Sequence, residues 1–99
     1  MFIIDIHYTA ELSEIERHLA AHRDYLDHYY AQGAFLFSGR KEPREGGVII
    51  ARAANRMEIE KIVSEDPFYQ ANIGEYRITE FIPTKTAKEL ASFADKEKQ

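Results

Sequence analysis

The first eight residues alternate between two kinds of side chain. Phe2, Ile4, Ile6 and Tyr8 fall on one side, and Ile3, Asp5 and His7 on the other. A period of two predicts a central strand with one fully apolar face and one mixed face. From residue 11 to residue 32 the period lengthens. Leu12, Ile15, Leu19, Leu26 and Tyr29 recur at steps of three and four, which predicts a single long helix. His22 sits in that apolar stripe where a leucine is expected. Ser13 with Glu16 has the spacing of a capping box, with Thr9 as the other possible cap, and Gly33 suits the left-handed residue that closes a helix. Arg17, Asp24, Asp27 and His28 make the opposite, solvated face.

Further along, residues 34–38 (AFLFS) predict a short strand and residues 39–47 (GRKEPREGG) a wide, mobile loop. Residues 48–53 (VIIARA) predict the strand that returns. Asn55 caps a second helix whose buried positions are Ile59, Ile62 and Val63. Pro67 ends it, because the residue before a proline disfavours helix. Residues 69–74 read as irregular, and residues 75–83 alternate as a last strand, with Tyr76, Ile78 and Glu80 on one side. Thr86 and Glu89 repeat the capping-box spacing and lead into a short amphipathic tail helix, about residues 86–97, with Leu90 and Phe93. The order β-α-β-β-α-β plus a tail helix predicts one α+β domain over residues 1–99, with a ferredoxin-like core over residues 1–83. Both helices then cover one sheet face. The other face is bare and carries much apolar side chain, for which a second copy of the chain, sheet against sheet, is the simplest partner.

Composition narrows the function. The chain is 44% hydrophobic, enough for a core. Its 13 basic and 17 acidic residues give a net charge of −4, so no nucleic-acid partner is expected. Without cysteine there is no disulfide, thiolate nucleophile or cysteine metal site. No apolar run approaches the ~20 residues of a membrane span, and the N-terminus has no signal-peptide pattern, so a soluble cytoplasmic protein is expected.

His22 is the first candidate for chemistry, either as a core imidazole bonded to a carbonyl or as a general acid/base. His18, one turn earlier, has the spacing for a shared metal, but there is no H-E-x-x-H pattern and no evident third ligand, so no metal is expected. Asp66, before Pro67, is an ordinary turn opener. The antiparallel helices nevertheless bring the exit of the second within reach of His22. Ser38 and Gly39 end a strand, where a glycine permits close approach of a ligand. No nucleotide or phosphate motif is present, and no cofactor is expected.

Taken in order, these features resemble the YCII-related (YciI-like) family: the N-terminal Ile/Tyr strand, His22-Arg23-Asp24-Tyr25-Leu26 on the helix, Gly33, a strand ending Ser38-Gly39, the turn Asp66-Pro67-Phe68, and a last strand with Tyr and Phe. The resemblance spans about residues 1–83. It implies a dimeric α+β barrel of ferredoxin-like protomers, in which His22 and Asp66 form a catalytic dyad. One branch of the family contains a dehydrochlorinase of chloroaromatic breakdown. Where the family often has Gly-Pro, this chain has Gly39-Arg40, which puts a cation near the pocket mouth. Two functions are expected from this. One is a cofactor-independent lyase- or isomerase-type enzyme acting on a small aromatic or enol-like molecule. In it His22 and Asp66 do the proton chemistry, Ser38 or the Gly39 amide holds a polar substituent, and Arg40 attracts an anion. The other is a non-catalytic dimeric ligand-binding or interaction module in which the His–Asp pair is structural.

Overall fold

Burial follows the two alternation patterns from the N-terminus onward. In the computed structural model, which describes residues 1–95, strand β1 (Phe2–Tyr8) buries Phe2, Ile4 and Ile6 almost completely. The chain continues as α1 (Leu12–Arg17), α2 (Leu19–Ala31), β2 (Phe35–Arg40), β3 (Gly46–Ala51), α3 (Arg56–Ser64), the one-turn α4 (Pro67–Gln70) and β4 (Gly74–Glu80). It ends in a 3-10 segment, Lys88–Phe93. The four strands form one antiparallel sheet in the order β2-β3-β1-β4. This is the α+β, ferredoxin-like arrangement, with the long-range crossings carried by the helices. The main core lies between the sheet and helices α2 and α3, where Phe2, Ile4, Tyr25, Phe35, Ile59 and Val63 meet.

The predicted long helix is two helices. His18 Nδ1–H donates to the Glu14 carbonyl at 3.1 Å, the acceptor its own amide would use in an unbroken helix. The His18 amide turns to the Ile15 carbonyl instead, and α2 starts afresh at Leu19. The predicted Ser13 and Thr9 caps are not used; Glu11 precedes α1 without a side-chain cap. Leu12 is 44% exposed, so the buried stripe starts at Ile15. Gly33 closes α2 with φ of 77°, as expected of a left-handed residue. Asn55 caps α3 by accepting from the Glu58 amide at 2.9 Å, and Ile59, Ile62 and Val63 are buried beneath it.

Residues 39–47 are less of a loop than their composition implies. Arg40 pairs with Gly47, and the Lys41 amide donates to the Gly46 carbonyl at 2.8 Å, so the ladder continues to the edge of a short turn. Gly46 has to be glycine, since a Cβ there would lie 1.9 Å from the Ile6 carbonyl oxygen. A Cβ at Gly39 would meet nothing within 4 Å, so packing does not demand glycine at that position.

A β-bulge in β2 decides what the sheet presents on each side. Phe35 pairs with Ala51, but Phe37 pairs with Ile50, so the register shifts by one residue at Leu36. Plain alternation would put Phe37 beside Phe35 on the helix side. The bulge leaves Phe37 55% exposed on the opposite face, with Ile3 and Ile50, and turns Ser38 and Arg40 toward the helices. The open face is apolar at that end only. Its other end carries Asp5, His7, Lys41, Glu75 and Arg77, with Lys41 Nζ 2.5 Å from Asp5 Oδ1. The tail is also not free of the sheet. Leu90 and Phe93 share a groove with Leu36, Phe37 and Ile50, and the Arg52 guanidinium stands 5.5 Å from the Phe93 ring centre. The tail forms a 3-10 segment without a side-chain cap, so the Thr86 capping box is not realised, and residues 96–97 of the predicted helix lie outside the described residues.

Candidate functional site

The site is built on Asp66-Pro67-Phe68. Asp66 is the N-cap of α4, with Pro67 at the first helical position, where a missing amide hydrogen costs nothing. Asp66 Oδ1 accepts from the Phe68 amide at 3.0 Å and from His22 Nδ1 at 2.7 Å. Oδ2 accepts from the Tyr76 hydroxyl. The carboxylate is fully buried, and a buried charge is tolerable only when bonded and paired in this way. The same turn supplies the face of the imidazole as well as its edge. The Phe68 ring stacks on His22 at 4.0 Å with an interplanar angle of 6°.

His22 is thus held by a carboxylate in its plane and a phenyl ring on its face. A carboxylate that already accepts two other donors accepts the Nδ1–H of His22 as well, so in the neutral ring Nε2 carries the lone pair. Nε2 has no partner among the described residues, and the His22 ring lines a cavity of about 170 Å³.

That cavity lies between α2 and the sheet. Leu19, His22, Arg23 and Leu26, spaced as one helical face, form its upper wall. Below, Arg40, Gly47 and Ile6 lie in one row across β2, β3 and β1. Gly47 leaves that row without a side chain in the middle, which is the hollow. Ser38 and Phe68 line it too. The Ser38 hydroxyl and the Tyr30 hydroxyl are 2.6 Å apart. Gly39 borders the cavity, but its position in the register is that of Val48, on the opposite parity from Ser38 and Arg40.

Tyr25 and Tyr76 flank the pair, and Tyr29 packs against Tyr25. Burial first, and the Asp66 charge second, push the Tyr25 and Tyr76 hydroxyls well above the ordinary phenol range. Burial and a hydrogen bond to Glu65 push Tyr29 up to about 12. All three are therefore neutral donors near neutral pH; Tyr25 donates to the Ile62 carbonyl at 2.8 Å.

His22, Asp66, Ser38, Gly39 and Arg40, singled out in the sequence, thus gather at one end of α2. His18 does not join them, because its ring turns back to Glu14. Among the described residues no three His, Asp or Glu side chains are grouped as a metal site. Sequence reasoning missed the bond from Tyr76 to Asp66, the stacking role of Phe68, and Arg23. For Arg23 the signal was present: it lies four residues after Leu19 and three before Leu26.

A family model, the YCII-related domain, matches residues 1–82. Among solved structures the chain is similar to 5-chloro-2-hydroxyhydroquinone dehydrochlorinase from Burkholderia phenoliruptrix in complex with 2,5-dihydroxybenzoquinone. The TM-score is 0.70 at 20% identity, covering 90% of this chain and 98% of that one, a likeness of fold. A comparison with curated proteins returns no match. No helix among the described residues is long and apolar enough to cross a membrane. With the family model covering all four strands and both principal helices among the described residues, the chain belongs to the YCII-related family.

Proposed function

We propose that this protein is a small enzyme of the lyase or isomerase kind, dehydrochlorinase-like in its chemistry, with His22 as general acid/base. The observation that carries the reading is the His22 ring, clamped by Asp66 and Phe68, with no partner at Nε2 among the described residues and an open cavity along the residue. A base needs a fixed tautomer and an unoccupied lone pair, and this arrangement supplies both. Nε2 takes a proton from a C–H or O–H of a single-ring or enol-like molecule. The electron pair left behind either expels a leaving group such as chloride or is reprotonated at a second atom by His22–H⁺. Asp66 orients the ring and stabilises its charged form. Ser38 and the Gly39 backbone hold a polar substituent, and Arg40 draws an anionic molecule inward. No step calls for a cofactor. Replacing His22 by Asn tests the reading: turnover should be lost while the fold is kept.

The alternative is a non-catalytic ligand-binding module. It is favoured by Asp66 having structural work of its own as the α4 cap. Uptake of solvent deuterium into a bound enol-forming molecule by the wild-type protein separates the two, since a module that only binds exchanges no carbon-bound proton with its ligand.

The protein is further proposed to work as a homodimer through the open sheet face, on the support of Ile3, Ile50 and the 55% exposed Phe37 gathered there. Sedimentation showing a monomer at every concentration would remove that assembly.

A further inference from the structure

Charge is unevenly distributed around the cavity. The chain has 17 acidic and 13 basic residues, yet the cavity is lined by two arginines and by no aspartate or glutamate. Arg23 enters from α2, directly after His22. Arg40 enters from β2, turned to the helix side by the bulge at Leu36. The two guanidinium groups therefore approach from opposite walls. Neither has a hydrogen-bond or ion-pair partner among the described residues. Most of the other arginines are engaged: Arg17, Arg44 and Arg56 are each paired with a glutamate, and Arg52 donates to the Gly33 carbonyl, whereas Arg77, beside Glu75 on the other face of the sheet, has no such partner among the described residues. Asp66 does not line the cavity and forms no ion pair with either arginine; its oxygens accept from His22, Phe68 and Tyr76.

Between the arginines the walls are apolar, formed by Ile6, Leu26 and Phe68. The volume of about 170 Å³ compares with the ~150 Å³ apolar cavity that accepts benzene. We propose that the site takes a single-ring carboxylate, its carboxylate held between Arg23 and Arg40 and its ring lying among Ile6, Leu26 and Phe68, with the far edge at His22 Nε2. A planar carboxylate matches the donor fork of a guanidinium. What then happens to the ring rests on the acid/base reading of His22; the selection for an anion does not.

Calorimetric titration tests this at low salt, with benzoate as the probe and benzamide as its neutral isostere. Benzoate should bind the wild-type protein at least about 10-fold more tightly than benzamide. R23Q and R40Q should each weaken benzoate by about 10-fold and leave benzamide nearly unchanged. Added salt should weaken benzoate alone. Equal affinity for the two probes, or a preference for benzoate that survives in both variants, overturns the proposal. H22N keeps this failure distinct from failure of the acid/base reading: whatever its overall affinity, its preference for benzoate over benzamide should match that of the wild type, because that preference rests on the two arginines. If it also turned substrate over, the acid/base reading would fall while the carboxylate site stood.

Discussion

Asp66→Asn is the substitution that asks most of the site while changing the fewest atoms. Asp66 is fully buried and accepts three hydrogen bonds, from His22 Nδ1, the Phe68 amide and the Tyr76 hydroxyl. Asparagine can leave its oxygen at the Oδ1 position and keep the first two. Its amino group then faces the Tyr76 oxygen, which can rotate its hydrogen away and accept. Geometry therefore survives, and what is lost is the charge on three bonds. A bond to a charged group contributes roughly 1.5–3 kcal/mol against about 0.5–1.5 for a neutral one, a difference of about 1 per bond and about 3 kcal/mol in all. For a chain of this size that lowers the melting temperature by roughly 12–24 °C. Urea and thermal unfolding at one fixed protein concentration measure it. Turnover should fall by about 10²–10⁴-fold, since the imidazolium loses its counter-charge. Asp66→Ala is more severe, because three buried donors lose their acceptor at about 1–3 kcal/mol each, comparable with the whole stability of a small domain. An Asn variant as stable as the wild type would mean that Asp66 is not the ionised hub of these bonds.

Two other perturbations read different parts of the fold. Gly46→Ala should fail to fold or melt far below the wild type, because its Cβ would lie 1.9 Å from the Ile6 carbonyl oxygen, whereas Gly39→Ala, with nothing within 4 Å, should melt normally; circular dichroism of the pair checks the contrast. Tyr25, Tyr29 and Tyr76 ionise less readily in the folded chain than in the unfolded one, where a phenol titrates near pH ~10. Their folded values are raised, so the stability they contribute is complete below about pH 10 and is lost as pH rises, for Tyr29 through about 12. Each can contribute a slope of at most about 1.4 kcal/mol per pH unit, about 4 for the three together. Urea midpoints that stay constant from about pH 9 to 11 would contradict this assignment.

Much of the fold was legible because period and burial agree. Phe2, Ile4 and Ile6 alternate and are buried; Ile59, Ile62 and Val63 recur at helical steps and are buried. The element order followed, and with it the placing of Asp66 near His22. What escaped has a common cause: hydrogen bonds that composition does not encode. The helix breaks at His18 because a ring nitrogen takes the carbonyl that the backbone would use. Residues 39–47 look like a loop because glycine and charge are poor strand formers, yet ladder bonds reach Arg40 and Gly46. The bulge at Leu36 matters most for the site. Alternation from Phe35 would put Phe37 toward the helices, and the one-residue shift exchanges it for Ser38 and Arg40. Alternation grouped Tyr76 with Ile78 on one side of β4, but a shared side does not say that its hydroxyl ends on Asp66.

The central claim is that His22 moves a proton for a molecule bound in this cavity. The most direct measurement compares wild-type protein with H22N for chloride release from hydroxylated, chlorinated single-ring compounds, and for uptake of solvent deuterium into enol-forming ones, with the unfolding transition recorded for both. Loss of both signals by about 10²–10⁴-fold in H22N, with a cooperative transition preserved, is the predicted result. Turnover by H22N at the wild-type rate would contradict the account and leave the His22–Asp66 pair a structural bond.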